Sequence, residues 1–105
     1  MRNNINPKIQ DDLTDQLFKG MLLLENLEEC YAFFEDICTV NEIKSLAQRL
    51  AVAKMLQKKS KYTDITEQTG ASAATISRVN RALSYGTDGY NNILERLEQE
   101  EKGNS

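Results

Sequence analysis

The sequence of 105 residues contains no histidine and only two cysteines, Cys30 and Cys38. These cysteines do not form a Cys-x-x-Cys pair, so the sequence supports neither a zinc site nor a disulfide framework, and we expect reduced, buried thiols. The chain also lacks a serine or cysteine beside a plausible base and a phosphate-binding glycine loop. We therefore expect no metal, no cofactor and no enzymatic activity.

Long apolar runs, prolines and glycines are also scarce. The leucine run at residues 22–24 is too short to cross a bilayer, and the polar start of the chain does not resemble a signal peptide. With one proline and five glycines, most of the chain is free to be helical. These features predict a single all-α domain over residues 1–105, in the cytoplasm and without a membrane partner.

Charge is unevenly distributed along the chain, although its net value is only −3. Residues 1–53 have five Lys and Arg against nine Asp and Glu, residues 54–85 have six against two, and residues 86–105 have two against five. The middle section is therefore +4, between sections of −4 and −3. Such a local basic patch favours nucleic-acid binding, and the acidic flanks limit nonspecific association.

The basic section contains two short helical patterns on either side of a glycine, at residues 62–83. Gly70 can adopt the positive φ that ends a helix, and Ser72 is a typical N-cap for a second helix over residues 73–83. The apolar residues of this second helix recur every three or four positions: Ile76, Val79 and Leu83. This pattern predicts a helix-turn-helix.

The opposite face of the second helix begins with small residues and continues with polar and basic ones. Small side chains allow close approach to base edges, whereas hydroxyl and guanidinium groups suit the major groove and the phosphates. Three lysines before the motif are also placed for phosphate contacts. The DNA-binding residues predicted from these patterns are Lys58, Lys59, Lys61, Ser72, Ala73, Ala74, Ser77, Arg78 and Arg81. The alternative is that the helix-turn-helix serves as a protein–protein interaction module, which the acidic remainder of the chain would permit.

Four more helices are expected outside this motif, over residues 9–24, 27–38, 40–58 and 90–101. Asn26 is the expected cap of the second, and Thr39 with Glu42 has the form of a capping box for the third. Six helices in so short a chain leave apolar faces without partners, which predicts a homodimer. Residues 1–8 are expected to be a flexible arm, 9–58 and 90–101 the dimerisation core, and 62–83 the DNA-reading head.

From Thr39 to Leu97 the order of features resembles the bacterial Trp repressor superfamily, and within it most closely the Trp-repressor-like proteins of the YerC/YecD group. The segment GASAATISR is the closest match. The resemblance implies a six-helix fold and an intertwined homodimer, in which the first three helices and the last interlock with those of the partner. It also implies a transcriptional repressor associated with the nucleoid, which binds double-stranded DNA at an inverted-repeat operator.

The resemblance also implies individual site residues. Its base-facing positions fall on Ala73, Ala74 and Ser77, with Thr63 and Thr66 on the first helix of the motif. Its ligand-facing positions fall on Thr39, Arg49, Thr75 and Arg78. The two arginines suit a small carboxylate effector, but Val79 replaces the glycine that leaves space for an indole ring. We therefore expect that the protein does not respond to tryptophan.

Overall fold

The computed structural model describes residues 5–103, which contain six α-helices and no β-strand. The helices are α1 (Asp12–Met21), α2 (Leu27–Ile37), α3 (Val40–Gln57), α4 (Tyr62–Thr69), α5 (Ala73–Tyr85) and α6 (Gly89–Gly103). The predicted all-α, six-helix fold is confirmed. None of these six helices is long and apolar enough to cross a membrane.

The chain divides into two compact units, the first ending at Thr39 and the second beginning at Val40. The first therefore contains α1 and α2, and the second contains α3 to α6. A single domain over the whole chain stays a prediction, as does the dimerisation core. The expected arm, residues 1–8, lies partly outside the described residues.

Helix α1 is shorter than the predicted range of residues 9–24. It begins after Asp11, whose carboxylate accepts a 2.7 Å hydrogen bond from the backbone N–H of Thr14. This hydrogen bond lowers the pKa of the Asp11 carboxyl. The carbonyl of Asn6 holds the preceding residues in a turn, and the helix ends at Met21. The predicted range is too long at both ends because the apolar spacing continues beyond the helix. This periodicity does not reveal where backbone groups are capped.

Helix α2 begins where the sequence predicts. Asn26 Oδ1 accepts a 2.8 Å bond from the N–H of Glu29, and the Glu29 carboxylate accepts a 2.9 Å bond from the N–H of Glu25. Neither α1 nor α2 has a buried residue. The apolar residues of this unit with at least 70% exposure are Leu13, Leu22, Leu23, Leu27 and Tyr31. The unit has therefore no buried core in its two helices.

The second unit contains a core built around α3, which packs against α4, α5 and α6. The buried residues of this core are Val52, Ala53, Ile65, Ala71, Ile76, Val79 and Leu94. They come from all four helices and from the turn between α4 and α5. The central position of α3 agrees with its apolar residues, which the sequence places on several sides of the helix.

Helix α5 continues to Tyr85, two residues beyond the predicted end. It stops at Gly86, where a Cβ atom would collide with the carbonyl oxygen of Ala82. Asp88 then adopts a φ of +66°, and its carbonyl accepts a 2.9 Å hydrogen bond from the N–H of Asn92 in the first turn of α6. Helix α6, at Gly89–Gly103, is slightly longer than the predicted range 90–101.

Candidate nucleic-acid interface

The lysine-rich segment between α3 and α4 begins with a tight turn. The N–H of Lys59 donates to the carbonyl of Leu56, and the N–H of Ser60 donates to the carbonyl of Met55, each at 3.0 Å. This pair of bonds is the Schellman motif that closes many helices. Lys59 has a φ of +62° at the position that glycine usually occupies. The three predicted phosphate-contacting lysines of this segment are all exposed: Lys58, Lys59 and Lys61.

The turn between α4 and α5 is held by side chains. Gly70 ends α4 with a φ of +74°, as predicted. The hydroxyl of Thr69 donates to the carbonyl of Ile65 at 2.6 Å and accepts from the N–H of Ala71 at 3.1 Å. Gln48 of α3 donates a 3.0 Å hydrogen bond to the carbonyl of Thr69. The turn is therefore tied to the central helix.

The start of α5 is capped by Ser72, whose hydroxyl accepts a 3.2 Å hydrogen bond from the N–H of Thr75. Ala71 precedes this cap and Ile76 follows it by four positions, and both are buried. Apolar residues at these two positions form a hydrophobic staple, which fixes the angle at which the chain enters the helix. The sequence interpretation did not include Ala71, although its position beside the predicted cap could have identified it.

The predicted DNA-facing surface of α5 is exposed along its length. It consists of Ala73, Ala74, Ser77, Arg78 and Arg81. The opposite side of the helix carries Ile76 and Val79, each with at most 1% exposure. Burial of this apolar side against the core leaves the small and basic side accessible, which is the arrangement that a recognition helix requires.

A shallow crevice of about 350 Å³ lies between α4 and α5. Its lining residues are Tyr62, Thr63, Thr66, Glu67, Ala73 and Ile76. The structure thus brings together three of the predicted base-facing residues. The sequence interpretation did not assign the other three to the interface. Glu67 could have been found, since it lies one helical turn after the predicted residue Thr63.

A second groove, of about 600 Å³, lies between the end of α3 and α6. Lys58 lines it together with Glu98 and Glu101. The amide of Gln57 donates a 2.7 Å hydrogen bond to Asn91 Oδ1, which joins the same two helices. Lys58 therefore shares this groove with two acidic residues of α6.

The predicted ligand-facing residues are placed in different surroundings. Val79 is 1% exposed and belongs to the core. Arg49 donates to the carbonyl and hydroxyl of Ser45 at 3.4 and 3.3 Å, and the hydroxyl of Thr75 accepts from that of Ser72 at 3.2 Å. Thr39 and Arg78 are both exposed. Thr39 belongs to the first unit and Arg78 to the second. A ligand pocket at these residues stays a prediction.

Two helices joined through a left-handed glycine, with the second presenting a small and basic face, define a helix-turn-helix DNA-binding protein. Comparison with known families identifies it further. The model of the Trp repressor protein family matches residues 12–98, so the chain belongs to this family of DNA-binding transcription regulators. The predicted resemblance is confirmed.

Individual relatives agree with this assignment. The chain is 53% identical over 98 residues to the YerC protein of Bacillus subtilis, covering 93% of this chain and 94% of YerC. It is also similar to the crystal structure of a TrpR-like protein from Eubacterium eligens, with 57% identity, a TM-score of 0.86, and coverage of 89% of this chain and 96% of the other. The chain is also 54% identical to a protein from Staphylococcus aureus whose crystal structure matches with a TM-score of 0.84. This match covers 87% of this chain and 91% of the other.

Proposed function

We propose that the protein binds an inverted-repeat operator as a homodimer and represses transcription in the nucleoid. The observation that carries the proposal is the exposed face of α5. Ala73 and Ala74 in its first turn are small enough to let the helix backbone approach base edges, and the basic residues Arg78 and Arg81 follow on the same side. This order suits a helix that enters the major groove by its N-terminal end.

Dimer formation is supported by the exposed apolar side chains of the single chain. Helices α1 and α2 contain no buried residue, and Ile93 and Leu97 of α6 are 45% and 43% exposed. A second copy would cover apolar surface of this kind, since burial contributes about 25 cal/mol per Å². Two reading heads related by a two-fold axis would then require half-sites about 34 Å apart, or one DNA turn.

Phosphate binding is supported by the charge of the reading head. Residues 54–85 have a net charge of +4 within a chain of −3, and the lysines before α4 are exposed. Lys59 occupies a backbone conformation that is unfavourable for any residue except glycine. A lysine at such a position is consistent with a role for its positive charge in phosphate binding.

Constitutive operator binding, without tryptophan, is supported by the position of Val79. The side chain of Val79 fills part of the core beside Ile76. An indole ring at this point would have to displace packed atoms, and overpacking typically costs about 1–3 kcal/mol. Arg49 and Arg78 could still bind a small carboxylate effector, because the guanidinium group suits that anion.

Selection of bound sequences from random DNA duplexes tests the proposal, followed by fluorescence anisotropy with the selected duplex. We expect an inverted repeat and an affinity that falls steeply with salt. Ala74→Leu should abolish specific binding because its bulk separates α5 from the bases, whereas Ala74→Ser at the same position should retain it. A reporter gene carrying the selected operator in its promoter should be expressed less in the presence of the protein.

Failure to select any sequence, together with salt-independent retention of a protein partner, would contradict the proposal. That result would support the use of the helix-turn-helix as a protein-interaction module.

A further inference from the structure

The crevice between α4 and α5 differs chemically from the basic surface around it. Its lining is predominantly apolar and includes Ile76 of the core and Tyr62 at the start of α4. Thr63 and Thr66 line it from α4, one turn apart, and Ala73 lines it from the first residue of α5. Each of these three residues contributes a methyl group to the side of the motif that we assign to base edges.

The position of the crevice limits what can enter it on DNA. The major groove presents hydrogen-bonding groups at every base pair, and its one apolar group is the C5 methyl of thymine. A phosphate is disfavoured in this crevice because the lining is predominantly apolar and the acidic residue Glu67 is part of it. An apolar crevice that opens on the base edges therefore matches the thymine methyl.

We propose that this crevice receives the C5 methyl group of a thymine in each operator half-site, an inference that rests on the proposed DNA binding. The methyl would contact the threonine methyls of α4 and the methyl of Ala73. Specificity at this base pair would then arise from apolar contact, in addition to hydrogen bonds made elsewhere along α5. The lining residues Tyr62 and Glu67 become part of the DNA interface in this arrangement.

Replacement of single thymines by deoxyuridine tests the inference, because this change removes the methyl and leaves the Watson–Crick pairing intact. Each thymine of the selected operator is replaced in turn, at symmetric positions of both half-sites, and the affinity of the full-length protein is measured. We expect one position to lose about 4-fold per half-site, and roughly 16-fold for the pair, from the free energy of burying one methyl-sized group.

A protein variant locates the contact. The double variant Thr63→Ser, Thr66→Ser removes two methyl groups from the crevice and keeps both hydroxyls. The fold loss in affinity caused by deoxyuridine at the same position should therefore fall to about half or less. Thr14→Ser is the matched control, since Thr14 lies on α1 in the first unit, and it should leave that loss unchanged. Circular dichroism checks that the variants remain folded.

Two results would overturn the inference while the proposed function stands. One is a selected operator that is bound specifically but is insensitive to deoxyuridine at every thymine. The other is a deoxyuridine effect that remains at full size in the double threonine variant. A protein that binds no sequence specifically would overturn the inference and the proposed function together.

Discussion

Replacement of Lys59 by glycine should make the protein more stable and a weaker DNA binder. Lys59 adopts a φ of +62° in the Schellman turn that ends α3. A residue with a Cβ atom loses about 1–2 kcal/mol in the left-handed region, and glycine does not. Glycine also increases the entropy of the unfolded chain, which opposes the gain by about 0.4–1 kcal/mol. The expected net stabilisation of Lys59→Gly is about 0.5–1 kcal/mol.

The DNA affinity of the same variant should change in the opposite direction. If Lys59 contacts a phosphate, its loss reduces affinity for all sequences alike, because phosphate contacts carry no sequence information. The slope of log affinity against log salt should decrease by about 0.9 per contact, and by about 1.8 for a dimer with one contact on each subunit. Urea denaturation measures the stability, and anisotropy titrations at several salt concentrations measure the slope.

Lys59→Ala separates the two effects, since it removes the same charge and keeps the Cβ atom. It should bind DNA as weakly as Lys59→Gly without gaining stability. Lys58→Gly is the positional control: Lys58 is not among the residues with positive φ, so glycine there should lower stability. Equal stabilities of Lys59→Gly and Lys59→Ala would refute the strain argument, and unchanged salt slopes would refute the phosphate contact.

Five further outcomes are expected. Sedimentation at low micromolar concentration should show a dimer, and a folded monomer there would contradict the proposed assembly. Calorimetric titration should show no micromolar binding of L-tryptophan. Separately, Val79→Gly should lower the free energy of unfolding by roughly 3–4 kcal/mol through lost burial and helix propensity. Gln48→Ala should cost about 1 kcal/mol through the lost bond to Thr69, and it should weaken operator binding if that bond holds the reading head in place. Asp11 has a lowered pKa in the fold, so its contribution to the capping of α1 is present above its ordinary pKa and is lost as the pH falls through the lowered value. Asp11→Asn keeps the acceptor, and the helical circular dichroism of this variant should lose that acid-dependent component.

The sequence predicted helix boundaries best where a side-chain cap follows the preceding loop directly. Asn26 and Ser72 both cap the helices for which the sequence predicts them as N-caps. Helix α1 was predicted three residues too early, because its apolar pattern extends into a turn and Asp11 was not recognised as the cap. Caps are local and can be predicted, whereas apolar periodicity alone does not distinguish a helix from the turns at its ends.

Parts of the interface depend on contacts that no local pattern contains. Gln48 and Thr69 are 21 residues apart, and only the packing of α3 against the motif brings them together. The crevice is lined by residues of both α4 and α5, so the pattern of neither helix alone contains it. The left-handed conformation of Lys59 was not predicted for a different reason, since the sequence has a lysine where glycine would have indicated it.

The connections of α3 explain how a reading head could be held in position without an effector. This one helix contributes Val52 and Ala53 to the core, binds the turn of the motif through Gln48, and leads directly into the lysine segment. Val79 closes the same core from α5. Movement of the head relative to α3 would have to break this packing together with the hydrogen bond to Thr69. Because close-packed protein cores resist continuous deformation, we expect the distance between the two heads of a dimer to be set by the packing of α3. Operator half-site spacing should then be insensitive to small molecules.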